Sequence, residues 1–323
     1  MTTSRPPLPE ERRLPFTPDR LSPELRAAIL EAAPDADLDR ATVLGEGWGC
    51  AAYRLPAPGG DLALRVPKPA SWWAVPDLER EARLLPALQA WGLPVPRAAQ
   101  LLRGPGGAVL GGLQSVVEGA PAKQLARSPQ QRGRLAESVG AFLARLHDFP
   151  LKRAASLGVK HVDMWEGHYA PMLERCQRLL PAASAAWLAV RAQAFLDGGG
   201  VRAAPEALIH ADFSGDHLVV NDDCALAGVI DWGDAMVGDP ALDFAALLDA
   251  YPESFVEAVR RAYEAHGGRP DPDAPRRARF YVDVSPIFGV LFAQDAGFPH
   301  IARADRRAFA ARAAAVNRRR ANG

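Results

Sequence analysis

The segment His210-Ala211-Asp212-Phe213-Ser214-Gly215-Asp216-His217, with Asp231 of Ile230-Asp231-Trp232 fourteen residues beyond His217, decides how this chain is read. Short apolar runs of strand type, Leu208-Ile209, Leu218 to Asn221 and Leu226 to Ile230, alternate here with loops dense in His, Asp and Gly. Polar residues set between short strands are where a scaffold presents its chemistry. A carboxylate at Asp212 is able to take the proton of a hydroxyl nucleophile. A ligand five residues on, at His217, and a carboxylate at the end of the next hairpin strand, at Asp231, are able to hold Mg²⁺ against nucleotide phosphates. Taken singly, His210 reads as a core histidine and Asp231 as a turn carboxylate; their joint spacing fits phosphoryl transfer.

On both sides of this insertion the chain is helical in texture from Gly119 onward, with helices expected over 132–147, 164–180, 185–196, 241–250, 252–266, 274–293 and 304–320. The first half differs. Ala41 to Leu44, Cys50 to Leu55 and Leu62 to Val66 read as a meander of short strands, and two more fall around Val95 to Leu102 and Ala108 to Val117. A charged helix with Leu84, Leu85 and Leu88 at helical spacing interrupts them from Leu78 to Trp91. Ser22-Pro23-Glu24 looks like an N-cap, an N1 proline and a first-turn acid opening a helix to about Ala33. The expected architecture is α+β and bilobal: a flexible arm over 1–21, a small antiparallel-sheet lobe with one helix over 22–117, and a larger, mostly helical lobe over 118–323.

Leu44-Gly45-Glu46-Gly47-Trp48-Gly49 lies between two of the predicted strands. Glycine there lets backbone N–H groups approach phosphate oxygens, so Gly45, Gly47 and Gly49 are candidates for a nucleotide-covering loop; a plain glycine-rich hairpin turn is the simpler alternative. No Gly-Lys-Ser/Thr follows, which excludes a Walker A loop.

His-x-Asp-x-x-x-x-His, then Ile230-Asp231-Trp232-Gly233-Asp234, then Gly238-Asp239-Pro240-Ala241-Leu242-Asp243-Phe244-Ala245 resembles the signature of the aminoglycoside and macrolide phosphotransferases, relatives of the protein kinases. The usual form has His-Gly-Asp and a final Asn; this chain has Ala211 and His217, and the His variant is similar to that of the macrolide 2′-phosphotransferases. The resemblance implies a protein-kinase-like fold, with Asp212 as catalytic base, His210 propping its loop, His217 and Asp231 as metal ligands, and Asp239 and Asp243 as structural carboxylates. It also implies a cation on the third strand paired with an acid on the following helix, and the alignment puts Arg65 and Glu81 there. Arg replaces the usual Lys, a fork for a point charge; Lys68 is the alternative if a bulge shifts the strand. Alternation along the strand puts Arg65 on the face opposite Leu64 and Val66, which directs it to Glu81. Val116-Val117-Glu118-Gly119 resembles the interlobe hinge, with Val117 against the purine edge. His147, in Leu146-His147-Asp148-Phe149-Pro150, reads as a helix C-terminal residue complementing the dipole.

Lys plus Arg (38) balances Asp plus Glu (38), so no basic surplus calls for nucleic acid. Cys50, Cys176 and Cys224 have neither disulfide-framework nor zinc spacing, and no apolar run of membrane length occurs. A cytoplasmic enzyme is expected, using Mg²⁺ and ATP or GTP to phosphorylate a small-molecule hydroxyl. For the acceptor, the segment from Ala274 onward is rich in Arg and poor in acid, which disfavours a purely acidic pocket, and Phe288 to Gly297 resembles a helix of the macrolide enzymes. A macrolide is therefore favoured over an aminoglycoside, a small metabolic alcohol comes second, and a lapsed nucleotide-binding regulator third.

Overall fold

The computed structural model describes residues 21–47, 49–68, 71, 74–97, 99–124, 128–200, 204–295 and 299–321; the arm expected over 1–21, apart from Leu21, lies outside them. Helix α1 (Pro23–Ala32) opens where the Ser22 hydroxyl accepts the N–H of Leu25 at 3.2 Å. Strands β1 (Thr42–Glu46), β2 (Cys50–Leu55) and β3 (Leu62–Pro67) follow, then helix α2 (Ala74–Ala90), then β4 (Gln100–Arg103) and β5 (Val109–Ser115). The five strands form one antiparallel sheet in the order β1-β2-β3-β5-β4. The β2–β3 register runs unbroken from Cys50 opposite Pro67 to Leu55 opposite Leu62, so the bulge that would have exchanged Lys68 for Arg65 is absent. Leu64 packs into a core with Leu25, Ile29, Tyr53, Leu55, Leu102 and Leu113 beneath α1. Pleating turns Arg65 to the opposite face, toward α2.

The second half contains β6 (Ala120–Pro121), α3 (Pro129–His147), α4 (Leu151–Ser156), β7 (Lys160–His161), α5 (Ala170–Leu179), α6 (Ala182–Asp197), β8 (Ala207–Ile209), β9 (Leu218–Val220), β10 (Leu226–Val229) and β11 (Met236–Gly238). Helices α7 (Ala241–Ala250), α8 (Glu253–Ala265), α9 (Ala274–Val284), α10 (Pro286–Asp295) and α11 (Pro299–Ala321) complete it. Helices α3 and α8 cross so closely that a Cβ on Gly140 would stand 2.5 Å from that of Ala262, which only glycine avoids. The large core here also takes Leu84, Leu85 and Leu88 of α2, so that helix is anchored below while its first turns face the sheet. No helix among the described residues is long and apolar enough to cross a membrane.

Three expectations need correction. The helix expected over 274–293 is broken at Ser285: Pro286 has no N–H to donate to the turn before it and its ring crowds the carbonyl there, so the ladder stops although Ser285 keeps helical angles, and the chain restarts as α10. The one expected over 164–180 starts as a turn of π-helix, Met164–Tyr169, before α5. Helix α3 begins at Pro129 rather than Arg132: Ser128 accepts from the N–H of Gln131 at 3.1 Å and the Gln131 side chain returns a bond to the Ser128 N–H at 3.0 Å, a capping box that the pattern Ser-Pro-x-Gln already carried.

Candidate active site

The loop between β8 and β9 is held from behind by one buried carboxylate. Asp243, on the first turn of α7, accepts the backbone N–H of His210 at 3.1 Å and of Ala211 at 2.9 Å, and its Oδ2 lies 3.1 Å from Nε2 of His147. These bonds hold Ala211 at φ +67°, a left-handed conformation that costs a residue with a Cβ, where the resembling family more often has glycine. The His210 ring is itself a bracket. The N–H of Asp212 points at its Nδ1 from 3.3 Å, so Nε2 carries the proton and donates to the carbonyl of Ile230 at 3.0 Å. Burial, reinforced by the neighbouring charge on His217, lowers the His210 pKa and keeps this ring neutral. The Asp212 side chain is left nearly half exposed at the loop's outer face.

His217 and Asp231 meet in front of that loop. The Nδ1–H of His217 donates to the Asp212 carbonyl at 2.8 Å, which turns Nε2 toward Asp231 Oδ2, 3.5 Å away. Asp231 has φ +64°, and Trp232 behind it is fully buried, with Nε1–H donated to the Val229 carbonyl at 3.0 Å and its ring against His210. Burial works against charge on His217, but the carboxylates of Asp212 and Asp231 outweigh it and raise its pKa. Burial likewise works against charge on Asp231; Arg65 and His217 outweigh it and hold that carboxylate below its ordinary range. A divalent cation bound here would have to compete with a proton for Nε2 of His217. Among the described residues no set of three His, Cys, Asp or Glu forms an all-protein metal cage. Of the pair, the Asp231 carboxylate is the oxygen donor that Mg²⁺ prefers and the imidazole the less usual one; waters and phosphate oxygens would have to supply the remaining ligands.

Arg65 joins the two lobes at this point. One guanidinium nitrogen meets Glu81 of α2 and the other lies 2.9 Å from Asp231 Oδ1. Lys68 instead turns to the glycine hairpin, with Nζ 2.6 Å from Glu46 and 2.7 Å from the Gly47 carbonyl. Gly45 lies in β1 opposite Ala52, just after a break in register, the N–H of Gly47 donates to the Cys50 carbonyl at 2.9 Å, and the Gly49 carbonyl accepts from the Lys68 N–H. Trp48 lies outside the described residues. Val117 sits in the link between β5 and β6, against Gly228 of β10. Beside it Gly119, at φ +138°, passes so near the Val220 carbonyl that a Cβ would lie 2.3 Å from it.

Sequence reasoning missed several supporting groups. His147 does end α3, yet its ring turns inward to Asp243 instead of facing solvent. Asp239, expected as a structural carboxylate, does cap α7 through the N–H of Ala241 at 2.9 Å, but its partners Arg277 and the Tyr281 hydroxyl were not foreseen. Asp77 and Arg80 of α2 reach the turn after Asp231, where Arg80 meets the Gly233 carbonyl. Asp234 opens to the cleft; enclosure by the protein, then the charges of Asp212, Asp231 and Asp77, push it up to about 7. Apart from the Asp239-Pro240 pair, which marks a helix start, these had no local signal beyond an ordinary helix face or turn.

The family described as APH, phosphotransferase enzyme family, matches residues 40–281 of this chain. The GDP and kanamycin complex of APH(2")-IIia has a similar structure, with a TM-score of 0.78 at 24% identity over 90% of this chain and 98% of that one. So does the apoenzyme of the macrolide 2'-phosphotransferase MphH from Brachybacterium faecium, with a TM-score of 0.72 at 24% identity over 90% of this chain and 98% of that one. At such identities the likeness is one of fold. A homoserine kinase of Beijerinckia indica subsp. indica is 35% identical over 118 residues, which is 35% of each chain. The matched stretch spans only 21% and 35% of the two curated relatives found. With the bilobal fold, the His210-x-Asp212 loop and the match over residues 40–281 in agreement, the chain belongs to the phosphotransferase enzyme family.

Proposed function

We propose that this phosphotransferase moves the γ-phosphate of ATP or GTP to a hydroxyl of a small molecule, and that the acceptor is an antibiotic, a macrolide rather than an aminoglycoside. The observation that carries the kinase reading is the half-open Asp212 carboxylate on a loop locked by Asp243 and His210, with His217 Nε2 and Asp231 Oδ2 converging in front of it. Asp212 takes the proton as the acceptor oxygen bonds to the γ-phosphorus, while the bond from phosphorus to the bridging oxygen breaks and the nucleoside diphosphate leaves. Bound Mg²⁺, held by His217 and Asp231, would neutralise charge on the phosphates. Arg65, kept in place by Glu81, orients the phosphates from the sheet side, and Gly45, Gly47 and Gly49 with Lys68 cover them. In this reading residues 22–117 bind nucleotide, with Val117 at the purine edge, residues 118–323 carry the catalytic and acceptor groups, and the reaction runs in the cytoplasm.

Support for a nucleotide donor comes from similar structures determined with GDP, ATP and ADP. Support for a macrolide is the apolar helix α10, whose Phe288 and Phe292 remain half-buried. The homoserine kinase match favours a second reading, a small amino alcohol. Asp212 and Asp231, both held in place at the cleft side of their loops, argue against a lapsed kinase. Nucleoside diphosphate release from ATP and from GTP, measured with erythromycin, kanamycin, homoserine and choline, tests this, with the phosphorylated product identified by mass. Turnover with homoserine alone would replace the antibiotic reading by the second; none with any acceptor would overturn both.

A further inference from the structure

Helix α2 touches the turn after Asp231 at two points. One is indirect, from Glu81 through Arg65 to the Asp231 carboxylate. The other is direct. Arg80 is buried, and a single nitrogen, Nη2, meets both Asp77 Oδ1 at 2.7 Å and the backbone carbonyl of Gly233. Its Nε has no hydrogen-bond partner among the described residues. A buried guanidinium is costly unless its charge is used, and packing alone would be served by an apolar chain of the same length. Among the described residues, the hydrogen bond of Arg80 that leaves α2 goes to the Gly233 carbonyl. A Cβ on Gly233 would lie 3.5 Å from Asp77, so turn and helix are in contact there as well.

The turn is thus gripped from both sides. Trp232 anchors it in the lower core against His210, and Arg80 holds the next peptide from above. Between the two grips the backbone of Asp231 keeps φ +64°, a conformation that persists where the surroundings over-determine it. We propose that Arg80 is a positioning residue: through the Gly233 carbonyl it fixes the Asp231 turn to α2, and the affinity of the site for a Mg²⁺-nucleotide depends on that bond. This rests on the phosphotransferase reading above.

The test is a fluorescence titration of the full chain with N-methylanthraniloyl-ADP, with and without Mg²⁺. In the wild type Mg²⁺ tightens binding. In Arg80→Met the half-saturating Mg²⁺ concentration rises about tenfold or more, the usual size for loss of a group supporting a metal ligand, while metal-free nucleotide affinity holds. Arg80→Lys restores most of it, since one ammonium is able to reach both Asp77 and Gly233. If Arg80→Met does not fold because Asp77 is left unpaired, Arg80→Met/Asp77→Asn removes that charge and shows the same loss. No Mg²⁺ effect in the wild type would overturn the functional reading itself. A wild-type Mg²⁺ effect retained in the folded Arg80 variants, with only the melting temperature lowered, would overturn the role of Arg80 alone.

Discussion

The glycine hairpin and the loop that carries Asp212 are built on opposite principles. The glycine hairpin rises from β1, all five residues of which are exposed, and its side-chain bracing is the contact of Lys68 with Glu46 and the Gly47 carbonyl. The catalytic loop lies over buried Asp243, His147, His210 and Trp232, and each of its critical backbone groups has a named partner. A loop that covers a mobile ligand works through backbone N–H groups and tolerates motion. A loop that takes a proton must hold one carboxylate within a fraction of an ångström, so it is over-determined from behind.

The contrast is open to attack, and the strongest blow falls on the catalytic side. Asp212→Asn is expected to reduce turnover about a thousandfold, the range for loss of a general base, with nucleotide affinity within a few-fold. Steady-state kinetics beside a nucleotide titration check this, and comparable turnover would remove Asp212 from the reaction. Next comes His217. His217→Ala should lose most of the activity, whereas His217→Asn should keep it and move the metal preference from Mn²⁺ toward Mg²⁺, because an amide oxygen replaces an imidazole nitrogen. Rates in the two metals decide it.

The support behind the loop should show itself in stability. Asp243→Asn leaves one acceptor oxygen where three donors converge, an expected loss on the order of 1–3 kcal/mol by denaturant unfolding, together with slower turnover. The pH response has two opposed parts. Lowered in the fold, His210 contributes stability above the unfolded value near 6.5 that is lost as pH falls below it; raised in the fold, His217 contributes stability below that value that is lost as pH rises through its folded pKa. In His217→Asn, without divalent ions, the His217 part is gone, while the His210 part and that of Asp234, a carboxyl raised to about 7 that favours folding as it is protonated, stay common to both proteins. The variant's melting temperature should therefore fall more steeply from pH 7.5 to 5.5 than that of the wild type. An equal fall would mean that the fold does not raise the His217 pKa. The smallest effect is expected from Gly47→Ala, where a Cβ meets the Cys50 carbonyl at an ordinary 3.7 Å. Unchanged nucleotide KM there sharpens the contrast between the loops.

What the sequence by itself determined is set by locality. His210, Asp212, His217 and Asp231 lie within one strand–loop–hairpin unit, so their spacing carries the chemistry; strand alternation put Arg65 opposite Leu64, and the structure has it against Glu81. The Arg65–Asp231 pair, the turn of His147 toward Asp243 and the grip of Arg80 on Gly233 were decided by the tertiary structure alone. These partners stand 166, 96 and 153 residues apart. On its own helix each of the two helical side chains, Arg80 and His147, is indistinguishable from a solvated charge or a dipole-complementing end. Only when α2 and α3 pack into one core with the second half of the chain do these groups lose water, and a buried charge or ring must then find the partner that the fold has brought to it.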